Sequence, residues 1–553
     1  MAKILKINND ADYYYERGIT KSDSSEFIDA IDSFYQALER EGENIWIYSE
    51  IAGNFLELDL VEPALKIYYR IIALDKKADI GYLGVMQCLV KQNLLPQAFF
   101  YLNMGVQNGA LSSEFELDDE FFEEEEPRLK LSGKNDGSDM VAFARKLMVS
   151  GDVKYARQML ESVPKEARQY TDARNYLALI ALGENETGRA LAITDEILLQ
   201  DDTDIPALTT RIVAYDIEGN DEKKREALRF LDSLRLTSKS DINKAAVCMQ
   251  QIQNSELAVK FLRQALAFQP YDRNILLLLS IAENNCKNHR RARGIMLTLR
   301  KLYRDDMVVR YYARLFNKAY NKILEMTTEL PEKIKNFRIS YIKSRITALK
   351  TADAVARDLA ENERFYEAVM WLFQSNELGL MGQTGALLAE HPDWRPFIRE
   401  LLIDPDIHYR VKKECLLAYL RRARDKKFFL LVGDVMQHFK PRLPAHTGDP
   451  RLIDAYWQLY TTLAFIDSDF DKRLAAAYRE LSKTVKLRDF GRFDLRPATL
   501  AAVMANCAGI HKIFDSPTDC CEIFDCDETE MRTYMDVLKL TPREKTTDRN
   551  GRN

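Results

Sequence analysis

Residues 48–71, YSEIAGNFLELDLVEPALKIYYRI, contain two apolar helical faces joined by a short polar turn. In the first half, Tyr48, Ile51 and Phe55 have the spacing of one face of a helix. After the turn, Ala64 and Tyr68 begin a second face with the same periodicity. The stretch therefore predicts a unit of two antiparallel helices.

The small residue of the second helix recurs along the chain. Ala30, Ala64 and Ala98 stand 34 residues apart, and the same interval separates Ala156 from Ala190 and Ala258 from Ala292. A larger side chain at this point would push the two crossing helices apart. A unit around Ala227 comes 37 residues after Ala190, so we expect about three extra residues within Glu218–Lys224.

This recurrence resembles the tetratricopeptide repeat (TPR) of bacterial-type TPR proteins, a 34-residue helix–turn–helix unit that stacks into a superhelix. The resemblance covers roughly residues 10–305. It implies an all-α fold, a right-handed α–α superhelical solenoid of TPR units, continuing into irregular helical repeats and a C-terminal helical bundle. It also favours a scaffold that binds another chain over an enzyme.

In TPR proteins the first helix of each repeat lines a concave face, which binds the partner. Transferred residue by residue, the resemblance implies these groove positions: Trp46, Ser49, Gly53, Leu56, Leu83, Gln87, Val141, Arg145, Asn175, Leu179, Asn243, Val247, Gln250, Leu277, Ile281 and Asn284. Such a mixture suits an extended peptide, because amides hydrogen-bond a backbone and aliphatic groups accept its side chains. A packing or solvated role is the alternative for each residue.

Composition excludes several functional classes. The net charge of −6 over 553 residues identifies no partner, and eight scattered cysteines do not form a disulfide framework. The first ten residues lack the apolar core of a signal peptide, and the longest apolar run, Ile275–Ile281, is too short to span a bilayer. We expect a cytoplasmic protein that does not contact membranes.

Motifs of catalysis are missing from the sequence. No P-loop, GxGxxG, GxSxG or HExxH string occurs, and the six histidines are isolated from other metal-ligating residues. We therefore expect no enzymatic activity, no cofactor and no metal, and a protein or peptide as the partner.

The chain divides into six predicted segments. They are a TPR block (1–110), an acidic flexible linker (111–138), a second TPR block (139–305), irregular TPR/HEAT-like repeats (306–446), a C-terminal helical domain (447–540) and a disordered tail (541–553). The linker contains nine acidic residues between positions 114 and 126, interleaved with aromatic residues. It is a solvated connection, a docking motif, or an autoinhibitory segment that covers the groove.

Beyond residue 305 the helical patterning continues without the 34-residue phase. Met307–Thr328 and Pro331–Lys350 predict two helices, and Leu401–Ala418 resembles a HEAT unit with Phe428–Phe439 as its partner helix. Pro517–Tyr534 has the spacing of a degenerate helix-turn-helix, but its second helix is acidic, which opposes binding to phosphates. A structural cap, a protein contact and nucleic-acid binding are the three interpretations.

Two basic patches offer a second functional class. Their central residues are Arg290, Arg291 and Arg293 in one patch and Arg421, Arg422 and Arg424 in the other. Solvated helix faces, contact with the chain's own acidic segment, and binding to nucleic-acid phosphates each explain such patches. The alternative to a protein-binding scaffold is thus a nucleic-acid-associated regulator that uses these faces and the helix-turn-helix.

Overall fold

The computed structural model describes residues 10–112, 153–317, 322–422, 428–432, 435–439, 470–486, 497–508 and 528–538, single residues from 140 to 148 and from 451 to 459, and Cys526. Its internal contacts divide the chain into two units. The first comprises Met1–Leu129 and Asn336–Asn553, and the second comprises Lys130–Lys335. The limits of the six predicted segments stay predictions.

The first unit begins with three helical hairpins. Their helices are α1 (Ala11–Asp23), α2 (Phe27–Glu41), α3 (Ile45–Glu57), α4 (Val61–Leu74), α5 (Asp79–Lys91) and α6 (Leu95–Gln107). The predicted two-helix unit at residues 48–71 is confirmed as part of the α3–α4 hairpin.

The second unit continues the hairpins. Its helices are α7 (Val153–Glu161), α8 (Tyr170–Gly183), α9 (Thr187–Leu198), α10 (Ile205–Ile217), α11 (Asp221–Ser233), α12 (Lys239–Gln251), α13 (Ser255–Phe268), α14 (Arg273–Asn285), α15 (His289–Leu302) and α16 (Met307–Asn317). Helix α17 (Glu332–Leu349) begins in this unit and ends in the first.

Where the structure describes it, the C-terminal part of the first unit consists of helices, a 3-10 turn and one hairpin of strands. It contains α18 (Ala352–Glu361), α19 (Glu363–Leu372), α20 (Leu378–Glu390), a 3-10 turn (Pro392–Trp394), α21 (Arg395–Ile403), α22 (Tyr409–Arg422), β1 (Phe428–Val432), β2 (Val435–Phe439), α23 (Phe470–Lys486), α24 (Pro497–Ala508) and α25 (Glu528–Leu538). The predicted all-α solenoid is confirmed, with β1–β2 as an addition.

The turn inside each hairpin repeats as strictly as the alanines. One residue per turn has a positive φ, and these residues are Ser25, Asp59, Asn93, Asn185, Gly219, Gln253 and Lys287. In the α3–α4 turn the Leu60 N–H donates to the Phe55 carbonyl (2.8 Å), which closes a Schellman-type helix end. The same reversal every 34 residues starts the second helix at a constant position.

The alanines pack where the two helices of a hairpin cross. Ala30, Ala64, Ala98, Ala156, Ala190, Ala258 and Ala292 are all buried. Gly84 of α5 marks a closer approach, because a Cβ there would collide with the Tyr68 ring of α4. Small residues at these positions let the backbones pack tightly.

The expected insertion near Ala227 is wrong. Gly219 follows Asn185 by 34 residues, so Glu218–Lys224 carries no extra residue. Lys224 fills the alanine position, and its ammonium pairs with Asp216 (2.9 Å) and Asp221 (2.7 Å). A charged side chain has replaced the small packing residue, and this substitution hid the repeat from the alanine pattern.

Residues of the N-terminal hairpins contact residues from much later in the chain, within the first unit. Lys66 of α4 pairs with Asp404 (3.2 Å) and Asp406, and the Met436 N–H of β2 donates to the Tyr101 hydroxyl of α6 (2.8 Å). The N-terminal hairpins are therefore completed by residues more than three hundred positions later.

A buried lysine lies behind this contact. The Lys412 ammonium donates to the Leu431 carbonyl (2.6 Å), and its side chain is almost fully buried. Burial lowers the pKa of Lys412 to about 7, against the opposing effect of the Asp404 and Asp406 carboxylates.

The predicted helix at Phe428–Phe439 is wrong. β1 and β2 pair antiparallel, with Phe428 opposite Phe439 and Val432 opposite Val435. The run Phe-Phe-Leu-Leu-Val favours a strand, and the two intervening residues, Gly433 and Asp434, are typical of a hairpin connection. Leu430 and Leu431 are both fully buried, which suits a strand covered on both faces.

The predicted helix at Met307–Thr328 is shorter than expected, since α16 ends at Asn317 and Lys322–Leu330 is not helical. The helix predicted over Pro331–Lys350 is confirmed as α17. The acidic stretch 113–138, the first part of the helix-turn-helix segment (517–525) and the tail 541–553 lie outside the described residues. Among the helices that are described, none combines the length and apolarity needed to cross a membrane.

Candidate functional site

One stripe on the first helix of each hairpin carries most of the predicted groove residues. Side chains four residues apart share a helix face, so four positions form one stripe along a thirteen-residue helix. The α12 stripe consists of Lys239, Asn243, Val247 and Gln251, and the α14 stripe consists of Arg273, Leu277, Ile281 and Asn285.

Part of this surface is open and apolar. In the second unit Val247 is 49% exposed and Leu179 is 45% exposed, although both are aliphatic. Asn243 and Gln250 lie beside Val247 on α12 and are half-buried, with polar atoms available at the rim. In the first unit the exposed predicted residues are Trp46, Leu83 and Gln87, and Gly53 is half-buried.

Other predicted groove residues are buried and serve the fold. Ser49 donates its hydroxyl to the Trp46 carbonyl (2.9 Å), and Leu56 and Val141 are buried. The Asn175 amide donates to the Asp204 carboxylate (3.2 Å), which also caps α10 by accepting from the Ala207 N–H (2.8 Å). A contact between neighbouring repeats therefore occupies Asn175.

Arg145 has a helical backbone conformation, and its side chain is exposed. Leu277, Ile281 and Asn284 are buried. An extended segment, Lys322–Leu330, lies against the α14 stripe.

Two carboxamides hold this segment by its backbone. The Leu324 N–H donates to Asn285 Oδ1 (2.7 Å), and Asn285 Nδ2 donates back to the Leu324 carbonyl (2.7 Å). The Met326 N–H donates to Gln253 Oε1 (2.7 Å), and Gln253 Nε2 donates to the Met326 carbonyl (3.1 Å). Each amide thus replaces the partner residue of an antiparallel β-pair.

Further bonds fix the direction of the segment. Asn284 Nδ2 donates to the Lys322 carbonyl (3.2 Å) near the end of α14, and the Arg273 guanidinium donates to the Thr328 carbonyl (2.6 Å) at its start. The segment therefore runs antiparallel to α14. Leu277 and Ile281, between these polar ends, are both 0% exposed.

The side chains of the segment alternate between groove and solvent. Leu324, Met326 and Leu330 are buried, whereas Glu325 is exposed and Ile323 is 86% exposed. The Met326 sulfur accepts from the Ser255 hydroxyl (3.7 Å) at the start of α13. The α14 stripe thus has polar anchors at its ends and an apolar floor between them.

Nearby titratable groups are locked by burial or pairing. Burial raises the pKa of the Cys248 thiol to about 12, and its Sγ lies 3.6 Å from the Thr209 carbonyl. The buried Glu283 carboxylate accepts from Asn288 Nδ2 (2.7 Å) and pairs with Arg263. Within the described part of the chain, no group of three or more His, Cys, Asp or Glu residues could hold a metal ion.

The first basic patch lies on α15. Arg290 and Arg291 are exposed there, and the Arg293 guanidinium donates to the Phe316 carbonyl (3.0 Å). For the second patch, the structure places Arg421 and Arg422 in α22 without describing their side chains, and Arg424 lies outside the described residues.

Sequence reasoning missed the residues that anchor the extended segment. Gln253, Asn285 and Arg273 lie at helix ends or in the turn, away from the middle of the concave face where groove positions were sought. It also missed Ile217, which is exposed at the end of α10. The alternation Leu324-x-Met326 is a period-two signal, but two positions are too few to predict an extended segment.

Solved structures to which this chain is similar include TPR proteins. A TPR protein from Parabacteroides merdae ATCC 43184 has 11% identity and a TM-score of 0.22, over 56% of this chain and 98% of its own. The P58(IPK) TPR domain has 15% identity and a TM-score of 0.21, over 56% and 97%. Yeast Tom70 has 9% identity and a TM-score of 0.19, over 96% and 95%.

No protein-family model matches the sequence, and no curated protein matches it. The assignment of the fold rests on the chain's own geometry, with helical hairpins, left-handed turn residues and buried alanines that share a 34-residue interval within each block. By that geometry the chain is a TPR-like α–α solenoid.

Proposed function

We propose that the protein is a non-catalytic scaffold that binds an extended segment of a partner protein along the concave stripes of the second unit. The observation that carries the proposal is the α14 stripe, which holds Lys322–Leu330 through its backbone and buries alternate side chains. A surface that binds one extended chain in this way has the chemistry to bind another.

The neighbouring stripe supports the same mode of binding. Val247 and Leu179 supply exposed aliphatic surface, and Asn243 and Gln250 supply amides beside it. Contiguous exposed apolar surface often marks a site of protein interaction. The proposed groove therefore runs from α8 across α12 to the covered stripe of α14.

The proposal includes a reducing compartment such as the cytoplasm. The described cysteines, Cys88, Cys248, Cys286, Cys415, Cys507 and Cys526, are all free thiols. Burial raises the pKa of Cys88 and Cys248 to about 12, so both stay protonated and unreactive at neutral pH. Inert thiols support packing in place of catalysis.

Selection from a phage library of random linear twelve-residue peptides tests the proposal. Peptides selected on the full chain should lose at least tenfold in affinity for Val247→Glu. Leu297→Glu is the matched control, because Leu297 is 56% exposed on α15, the second helix of its hairpin. If the selected peptides bind Val247→Glu as tightly as the parent chain, the concave stripes are not the binding site.

A further inference from the structure

We propose that Lys322–Leu330 is a built-in ligand of the α14 stripe, which detaches so that an extended partner peptide with the same apolar spacing can bind there. The inference rests on the proposed function and names the partner's chemistry. The peptide is linear and carries apolar residues at the positions of Leu324, Met326 and Leu330.

The site recognises backbone before side chain. Asn285 and Gln253 each bond both the N–H and the carbonyl of a single residue, at Leu324 and Met326 respectively. Any extended residue other than proline presents these two groups in the same way. The amides therefore select an extended conformation, and the sequence requirement comes from the buried positions alone.

The apolar requirement follows a fixed spacing. Leu324 and Met326 are two residues apart, as alternate positions of an extended chain on one face require. Leu330 follows four residues after Met326 and is buried as well. Between them the Thr328 carbonyl accepts from the Arg273 guanidinium. The partner motif is thus apolar-x-apolar-x3-apolar.

The segment Lys322–Leu330 leaves one of its own large apolar side chains exposed to solvent. Ile323 is a large aliphatic residue that lies almost entirely in solvent, and Glu325 is exposed beside it. The segment reaches the turn after α12 through Gln253 but leaves Val247, on the α12 stripe, exposed. A longer partner peptide can cover both stripes and so compete for the one that is occupied.

Detachment leaves a surface of the same kind as the open groove. Leu277 and Ile281 would become an apolar floor between Arg273 and Asn285, just as Val247 lies between Asn243 and Gln251 on α12. Opening of a short extended segment needs no helix to unfold, and such local openings cost less than global unfolding. After detachment, the α12 and α14 stripes together form one continuous open groove.

A labelled peptide with the sequence of residues 322–331, KILEMTTELP, is the probe. Three forms of the full chain are compared: the parent, the released variant Leu324→Ala/Met326→Ala, and the released variant that also carries Gln253→Ala. Fluorescence anisotropy should show at least tenfold tighter binding to the released variant than to the parent. Adding Gln253→Ala should remove most of that gain.

Equal binding to the parent and the released variant overturns the proposal. So does loss of helical circular dichroism in the released variant, because the segment would then be a core element that cannot leave. A parent dimer that becomes monomeric on release, measured by light scattering, would instead identify a segment exchanged between two copies. If this peptide fails while library peptides still depend on Val247, only the built-in ligand falls; if both fail, the proposed function falls.

Discussion

Helices α12 and α14 occupy the same place in successive repeats, yet their stripes have opposite environments. Val247 and Ile281 are equivalent positions 34 residues apart; Val247 is 49% exposed and Ile281 is 0% exposed. The repeat itself does not cause the difference. Residues beyond the last hairpin lie as an extended chain along α14 and reach the turn after α12 at Gln253, whereas Val247 of α12 stays exposed.

The two units also differ in what holds their late-arriving residues. In the second unit, two neutral amides and the Arg273 guanidinium hold Lys322–Leu330 by its backbone. In the first unit, charged side chains join α4 to the turn after α21, and the buried Lys412 lies behind them. Neutral hydrogen bonds respond to geometry, whereas charged contacts also respond to pH.

The largest expected effect comes from placing the same charge on both stripes. Ile281→Asp should lower the free energy of unfolding by about 3–5 kcal/mol, because it buries a carboxylate without a partner. Val247→Asp should change it by about 0.5 kcal/mol or less, because that position is exposed. Urea denaturation followed by circular dichroism measures both. Similar losses in the two variants would mean that the stripes are equally covered.

A smaller effect should follow loss of one amide anchor. Gln253→Ala removes two neutral hydrogen bonds to Met326, worth about 1–2 kcal/mol together. Hydrogen exchange at the Met326 amide should accelerate roughly 5–30-fold. Lys287→Ala is the matched control, since Lys287 occupies the equivalent left-handed turn position with φ 65° against 56°. Equal exchange rates at the Met326 amide in both variants would show that Gln253 does not hold the segment.

The smallest expected effect is a pH dependence of the stability of the first unit, caused by the buried Lys412. The pKa of Lys412 is about 7 in the folded chain, below its unfolded value, so the unfolded chain binds more protons above pH 7. Stability of the first unit should therefore rise by about 1 kcal/mol between pH 7 and 8. Lys412→Met should abolish this rise, measured as the change in urea midpoint with pH.

The pH range in which stability rises ends at about pH 8.5, near the ordinary pKa of a thiol. Burial raises the pKa of Cys415 to about 12, so its ionisation in the unfolded chain opposes the lysine at higher pH. A rise that persists in Lys412→Met would assign the response to another group.

The hairpins were predictable because each repeat obeys one local rule. A small residue at the helix crossing and a left-handed turn five positions earlier recur with the sequence, so Ala64 and Asp59 identify their unit without tertiary information. Lys224 shows the limit of that rule. The Lys224 ammonium pairs with Asp216 and Asp221, so this repeat has no alanine at the crossing. Its turn residue, Gly219, still follows the 34-residue interval.

The covered stripe and the strand hairpin were not predictable in the same way. Leu277 and Ile281 are as aliphatic as Leu179 and Val247, but an extended segment from about forty residues later in the chain lies along their helix. Strands β1 and β2 carried a local signal in Gly433 and Asp434, but their apolar run also suits a buried helix. Burial by distant residues is not encoded in local periodicity.

The contact between Tyr101 and Met436 has a consequence for the order in which this protein folds while a ribosome synthesises it. The two residues are 335 positions apart, with the entire second unit between them. At about 5–20 residues per second, α6 waits roughly 17–70 seconds for its strand. The N-terminal hairpins must survive that interval with their docking surface uncovered, whereas the second unit can fold as soon as it emerges.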